Sequence, residues 1–349
     1  MADLLIASAT TWDGHLPRNL GDEALTLALA QECERRGHRV RVSLAGAGGA
    51  GERVCVSRPA ELVRAVRAAD LVLLGGGTLL AGHVDGRRSV LPRGFPRFLA
   101  AVTAVAAACG TPVALVGVGA ERWPEGPEDA LLRWVVRRAG SVWVRDAASA
   151  ELVARQGGRH ARLGGDTFFA ARLPVAVPRA VASGAPALPP LERAVEQVVV
   201  ALSGRTTAQE CAEVARRVAA YAPREVRVRR MDQHGDDDVA AQRVVCHLET
   251  AGVRTRLEPH VVDWRTAYAG LAAADLVVAS RLHALVFAAR AGVPAWAVGS
   301  SPKVLAFAAE AGVPLLGSGE PPCVATTAYL DAQRSRLAAS LDDVLGVVG

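Results

Sequence analysis

Lysine is almost missing from this chain: of its forty basic residues only Lys303 is a lysine, and the others are arginine. Aromatic residues make up 4% and methionine occurs twice, so an aromatic-lined groove has little to draw on. No run of about 20 apolar residues is free of breaks, so no membrane-spanning helix is expected. The nearest approach, Phe98 to Ala120, contains Cys109-Gly110-Thr111-Pro112 and reads as helix, turn and strand. The N-terminal MADLLIASATTWDG lacks a basic start and its apolar run is strand-length, so it does not read as a signal peptide and a cytoplasmic location is expected. The six cysteines form no CxxC pair and no metal-ligand spacing, which predicts reduced thiols and no metal site. The net charge of +5 is spread along the chain with no basic block interleaved with aromatics, so no nucleic-acid partner is expected.

What is present is 349 residues, about half of them apolar, enough for two globular domains. Short apolar runs alternate with helical patterns, the signature of parallel α/β architecture. Strands are expected at Leu4–Ala9, Arg39–Leu44, Leu71–Leu74, Val113–Val118 and Ser141–Val144, with helices at 21–36, 59–69, 95–109, 127–139 and 146–156. The stretch 171–196 carries five prolines and reads as a linker. The pattern then restarts, with strands at Val198–Leu202, Glu225–Arg230, Arg254–Glu258 and Leu276–Ala279 and helices at 206–221 and 236–251. "AADLVLLGGG" in the first half echoes "AADLVVASRLH" in the second, and "AARAGVP" recurs as "AAEAGVP". The expected organisation is an N-terminal Rossmann-like domain over 1–175 on the acceptor side, a proline-rich linker over 176–196, a donor-side Rossmann-like domain over 197–317 and a helical tail over 318–349. The two doubly wound domains would face a cleft, with ligands outside the carboxyl ends of the strands.

Three strand-to-helix junctions place a cation at the positive end of a helix, where the macrodipole disfavours it. In "SRLHALVFAARAGVP" (280–294) Ser280 is a plausible cap, followed by Arg281 and His283. In "GSSPKVLAFAAEAG" (299–312) Ser301 caps, Pro302 takes the first helical position and Lys303 the second. In "VWVRDAASAEL" (142–152) Arg145 precedes a capping Asp146. A bound anion would account for all three, since free amides at helix starts are themselves anion sites; solvated arginines or local Asp–Arg pairs would also do so. Neighbours can move a histidine pKa across the neutral range, which suits His283 to the role of general acid, although a lone histidine on an apolar helix is often structural. The surviving lysine offers a compact, mobile charge that arginine does not replace. Gly75, Gly76 and Gly77, read as following a strand, would let a backbone approach a ligand; they lack the spacing of a dinucleotide fingerprint. In "TTWDGHLPRNLGDEA" (10–24) Trp12 offers a surface for a sugar ring and Asn19 and Asp22 offer hydroxyl partners, while Asp22 and Glu23 also read as ordinary first-turn acids. Trp123, Trp264 and Trp296 are further stacking candidates.

In order along the chain, "NLGDEAL" (19–25), "DLVLLGGGTLL" (70–80), "GVGA" (117–120), "VRDAASAEL" (144–152), "GGDTFF" (164–169) and "DLVVASRLHALVFAARAGVPAWAVGSSPKVLAFAAEAG" (275–312) resemble the polysaccharide pyruvyl transferase family. That resemblance implies a glycosyltransferase-B-like pair of Rossmann-type domains, phosphoenolpyruvate as donor and co-substrate with no other cofactor, and a sugar diol as acceptor that becomes a cyclic pyruvate ketal. It implies that Arg281 and Arg145 hold the donor's phosphate and carboxylate, that His283 is the general acid, that Lys303 is a further cation on the donor and that Asp166 shapes the domain edge. The usual aromatic residue a few positions before the lysine is replaced here by Gly299-Ser300-Ser301, which leaves a sugar, a glycolipid precursor or a natural product open as acceptor. A homo-oligomer is compatible with the sequence. Two rivals remain: a transferase using a nucleotide sugar, with Glu258 or Asp263 as a ribose clamp, and a ligand-binding member without turnover.

Overall fold

Near-continuous apolar runs rich in Val, Leu and Ala form the central strands, buried on both faces as a parallel sheet covered by helices requires, while flanking strands alternate apolar with polar residues. The structure, a computed structural model, describes residues 1–13, 16–17, 19–45, 52–54, 59–82, 95–173, 195–232, 235–261 and 263–348. The chain divides into two compact units. The first comprises Met1–Pro17, Asp22–Arg172 and Ala332–Gly349, and the second comprises Arg18–Gly21 and Leu173–Asp331. Of the expected linker at 176–196, residues 176–194 lie outside the described residues.

The chain begins with β1 (Asp3–Asp13), β2 (Leu16–Pro17), α1 (Leu20–Arg35), β3 (Arg39–Ala45), β4 (Glu52–Val54), α2 (Pro59–Arg67) and β5 (Leu71–Ala81). It continues with α3 (Phe95–Cys109), β6 (Val113–Glu121), α4 (Pro127–Arg138), β7 (Ser141–Val144), α5 (Ala147–Leu152) and β8 (Arg162–Leu163). The sheet of the first unit runs β4-β3-β1-β5-β6-β7-β8, with β2 antiparallel to β1. Its strand order reverses between β1 and β5. A buried cluster that includes Leu5, Val72, Leu74, Leu99, Leu115 and Val135 packs one face of it. α5 is capped by Asp146, which accepts from the Ser149 amide at 2.7 Å, as its position in the sequence predicts.

The second unit continues with β9 (Gln197–Ala201), α6 (Ala208–Ala219), β10 (Glu225–Val228), α7 (Asp238–Thr250), β11 (Thr255–Leu257), α8 (Trp264–Ala272), β12 (Leu276–Ala279), α9 (Leu282–Ala291), β13 (Ala295–Ala297) and α10 (Pro302–Ala311). Its five parallel strands are ordered β11-β10-β9-β12-β13, so the winding reverses between β9 and β12. Valines from β9, β10 and β12 meet Cys211, Val214 and Val244 in its core. The recurrent Ala-Gly-Val-Pro ends α9 and α10 through Gly292 and Gly312, both left-handed, as the repeat predicts. The last helix, α11 (Thr327–Leu345), passes from the second unit into the first at Ala332.

Several expected elements are redrawn: β1 runs on to Asp13 and β6 to Glu121, and α5 ends at Leu152. The strand read as Leu71–Leu74 runs on to Ala81, because Gly75 and Gly77 stay in register with Val116 and Val118 of β6. The glycine run therefore lies inside a strand, not after one.

Candidate functional site

In the second unit, the β9–β12 reversal is where a doubly wound sheet presents ligands. The loops leaving β9, β12 and β13 emerge there side by side, because these strands are hydrogen-bonded neighbours about 4.8 Å apart. Ser280 does not cap α9; the cap position belongs to Arg281. The Ser280 hydroxyl instead accepts from the Ser203 amide at 2.8 Å and lies 2.8 Å from the Thr206 hydroxyl, tying the β9 and β12 loops together. Ser301 takes the cap position of α10, but its hydroxyl makes no capping bond and, among the described residues, is buried with no hydrogen-bond partner. A buried unpaired hydroxyl is costly unless something else satisfies it. Lys303 lies in the first turn of α10, and His283 in the first turn of α9.

Arg281 is not balanced only by an awaited anion. Its Nε donates to Asp237 Oδ1 at 2.8 Å, a second guanidinium nitrogen bonds the same oxygen, and Asp236 stands 3.9 Å away. Burial works against the Arg281 charge, but the carboxylates of Asp237, Asp232 and Asp236 more than offset it and hold its pKa above the ordinary arginine range. The cation at the positive helix end is thus compensated from within. An arginine has five N–H donors, and Asp237 takes Nε and one other. The other oxygen of Asp237 accepts from the Met231 and Asp232 amides at 2.9 and 3.0 Å, so this buried carboxylate is fully engaged.

Arg145 belongs to the first unit and is also committed internally. It is 4% exposed, donates to the Thr78 hydroxyl at 2.9 Å and lies 3.4 Å from Asp146. Gly119 makes room for it: a Cβ there would sit 2.7 Å from the guanidinium. Asp166 is buried in the same unit, where it accepts from the Phe168 amide; burial pushes its carboxyl up against the pull of Arg145. The guanidinium that the sequence reading put on the donor is thus engaged with Thr78, within β5, and with Asp146, just after β7.

The glycine run sits inside β5, not after a strand as expected. Gly75 and Gly76 are the floor on which α1 packs: a Cβ on Gly75 would meet Leu29 at 2.7 Å, and one on Gly76 would meet Thr26 at 2.8 Å. Gly76 and Gly77 have positive φ, 79° and 99°. Both are buried, and Gly76 serves close helix–strand packing.

Of the residues expected on the acceptor, Asn19 caps α1, accepting from the Gly21 amide at 2.9 Å, and bridges to Asp232. Asp22 lies in the first turn of α1, where its carbonyl accepts from Thr26. Trp12 is on β1, its main chain paired with Pro17. Trp264 and Trp296 are buried, so neither is an open stacking surface, and Trp123 is half-buried with its indole N–H donating to Asp129 at 2.7 Å. The two acids offered as a ribose clamp are occupied: Glu258 pairs with Arg229, and Asp263 caps α8.

Sequence reasoning missed Asp237, Gly21, Ser203 and Thr206. The signal for Asp237 was the acid run "GDDD" just before a helix; the other three carried none, because their roles arise only from distant contacts. Among the described residues no group of three or more His, Cys, Asp or Glu side chains is placed to hold a metal ion, and no helix is long and apolar enough to cross a membrane.

The architecture has counterparts among solved sugar-nucleotide enzymes. UDP-GlcNAc 2-epimerase from Neisseria meningitidis, bound to UDP-GlcNAc, matches over 99% of this chain and 93% of its own, at TM-score 0.55 and 12% identity. S. aureus MnaA, solved with UDP, matches over 99% and 89% at 0.55 and 11%. Anabaena Alr3699/HepE, in complex with UDP and glucose, matches over 100% and 96% at 0.50 and 15%. At these identities the likeness defines the fold alone, and that fold is α/β and glycosyltransferase-B-like, built from two Rossmann-type domains. No curated protein matches the chain at a significant level. The model of the polysaccharide pyruvyl transferase family matches residues 19–302. The chain belongs to that family of transferases.

Proposed function

We propose that the protein moves the enolpyruvyl unit of phosphoenolpyruvate onto two hydroxyls of a sugar or related diol, forming a pyruvate ketal and releasing phosphate. The observation that carries this reading is the pair of helix starts in the second unit. Arg281 and His283 open α9 and Lys303 opens α10, with a buried, unpartnered Ser301 hydroxyl beside the lysine. This unit supplies what a compact donor with a carboxylate and a phosphate demands: charge-assisted hydrogen bonds and helix-start amides.

In the proposed reaction His283 gives a proton to the methylene carbon of the donor, which becomes a methyl group. Positive character develops at the neighbouring carbon, and the first acceptor hydroxyl attacks there and gives up its proton. The carbon–oxygen bond to phosphate breaks, with the leaving charge stabilised by Lys303 and Arg281. The second hydroxyl then closes the ring, and its proton balances the departing phosphate. Phosphoenolpyruvate is a substrate in this scheme, and no other cofactor is required. Glu258 and Asp263, the acids a nucleotide-sugar reading would call on, are already engaged, which favours the smaller donor.

The test is incubation of the protein with phosphoenolpyruvate and a panel of sugar, glycolipid and natural-product diols, following phosphate release and product mass. Acceptor-dependent phosphate release with a ketal product is expected. Thermal stabilisation by a nucleotide sugar, with none by phosphoenolpyruvate and no phosphate release, would overturn the proposal.

A further inference from the structure

The first residues of α1 belong to the second unit, far along the chain from the other side chains of its site. Gly21 lies against His283. A Cβ built on Gly21 would overlap the imidazole Nδ1 and Cγ and lie 2.7 Å from the histidine Cβ. The Cγ–Nδ1 edge of the ring is thus pressed on the Gly21 backbone, and in a five-membered ring the vertex opposite that edge is Nε2.

The Gly21 backbone is itself fixed. Its amide donates to Asn19 Oδ1 at 2.9 Å, the Leu20 amide donates to the Met231 carbonyl at 3.0 Å, and Asn19 bridges Asp232. The amides of Met231 and Asp232 both donate to Asp237 Oδ2, whose other oxygen receives Arg281. The two side chains that open α9 are therefore held by one closed circuit, from Arg281 through Asp237, Met231 and Leu20 to Gly21 and back to His283.

We propose that Gly21 is a positioning residue: its missing side chain seats the His283 imidazole against the Gly21 backbone and aims Nε2, not Nδ1, at the atom to be protonated. The catalytic part of this inference rests on the pyruvyl-transfer reading, whereas the seating of the ring does not. Ala at position 21 leaves the helix intact, since alanine is the better helix former, but takes the space the ring occupies.

The experiment is a double-mutant cycle with Gly21→Ala and His283→Ala, read by thermal unfolding, by imidazole 15N–1H spectra of His283 and by phosphate release. In the His283-containing background, Gly21→Ala lowers Tm by about 3 °C or more and changes the His283 tautomer or shifts. It reduces turnover about 100-fold, as an ångström-scale misplacement does, with KM for phosphoenolpyruvate nearly unchanged. In the His283→Ala background the same substitution is neutral or stabilising and has no further effect on turnover. Equal destabilisation in both backgrounds, or unaltered His283 spectra, would overturn the proposal. If the unsubstituted protein releases no phosphate from phosphoenolpyruvate, the pyruvyl-transfer reading fails, while the cycle and the spectra still decide whether Gly21 seats the ring.

Discussion

The two units are built on the same winding rule, yet they use the carboxyl ends of their strands differently. In the first, β1 and β5 run for 11 residues each and β6 for 9, and Gly75, Gly76 and Arg145 make close contacts within the unit. The glycine run is a bed for α1, and Arg145 is drawn into its own rim. In the second, strands of 3 to 5 residues stop early, and Arg281, His283 and Lys303 stand in the opening turns of helices. A glycine run or an arginine at a strand end therefore says little by itself: Arg145 and Arg281 each follow a four-residue strand, precede a helix and find a carboxylate partner.

Four substitutions or conditions test this contrast. The largest effect is expected from His283→Ala, which should lower turnover by roughly two to four decades, the span of a general acid, while phosphoenolpyruvate still shifts Tm; an unchanged rate would place the chemistry elsewhere. Next comes Asp237→Ala, which leaves the partly buried Arg281 without its main partner and should destabilise the protein by about 3 kcal/mol, measured by denaturant unfolding, and also raise KM for the donor. In the first unit, Gly76→Ala should cost about 2 kcal/mol through its positive φ and the approach of Thr26 while leaving donor affinity as it was. Lost affinity with stability intact would mean that the glycine run does cradle the donor. The smallest effect belongs to Glu213, whose carboxyl is held down at about 2 by hydrogen bonds from Arg216 and then Arg217 at the surface. Its stabilisation is present above the ordinary carboxylate pKa near 4.5 and is lost as pH falls toward 2. The Tm difference between the protein and Glu213→Gln should therefore shrink over that interval, from no more than a few tenths of a kcal/mol.

The fold was largely readable because both sheets are parallel apart from the two-residue β2, and their central strands announce themselves as apolar runs separated by helical periodicity. Ser141–Val144, Leu276–Ala279 and the helix over 95–109 match their expected limits. The extension of β5 was hidden because glycine ordinarily ends a strand, and only the register with β6 and the approach of α1 explain why it does not here. The site was half readable. The cations at helix starts were visible from spacing, but the carboxylate that answers Arg281 lies 44 positions away, and no local pattern could pair them. Ser280 was misassigned as a cap because its partners, Ser203 and Thr206, come from another loop. Gly21 could not be found at all, since its contribution is a space that only the folded contact with His283 defines.

The chain also crosses from one unit to the other inside two helices, at Gly21–Asp22 and at Asp331–Ala332. Gln333 of the returning segment bonds the Asp166 amide, and Asp343 receives Ser141 and Trp143, so a fragment ending at residue 175 would lack part of its own interior. A fragment beginning at 197 would likewise lack the Asn19–Gly21 turn that its histidine rests on. Neither half is a portable module: dissection, domain exchange or recombination with a relative has to carry three separate stretches of sequence together for the first unit and two for the second, and a single crossover in the proline-rich stretch would leave both products incomplete.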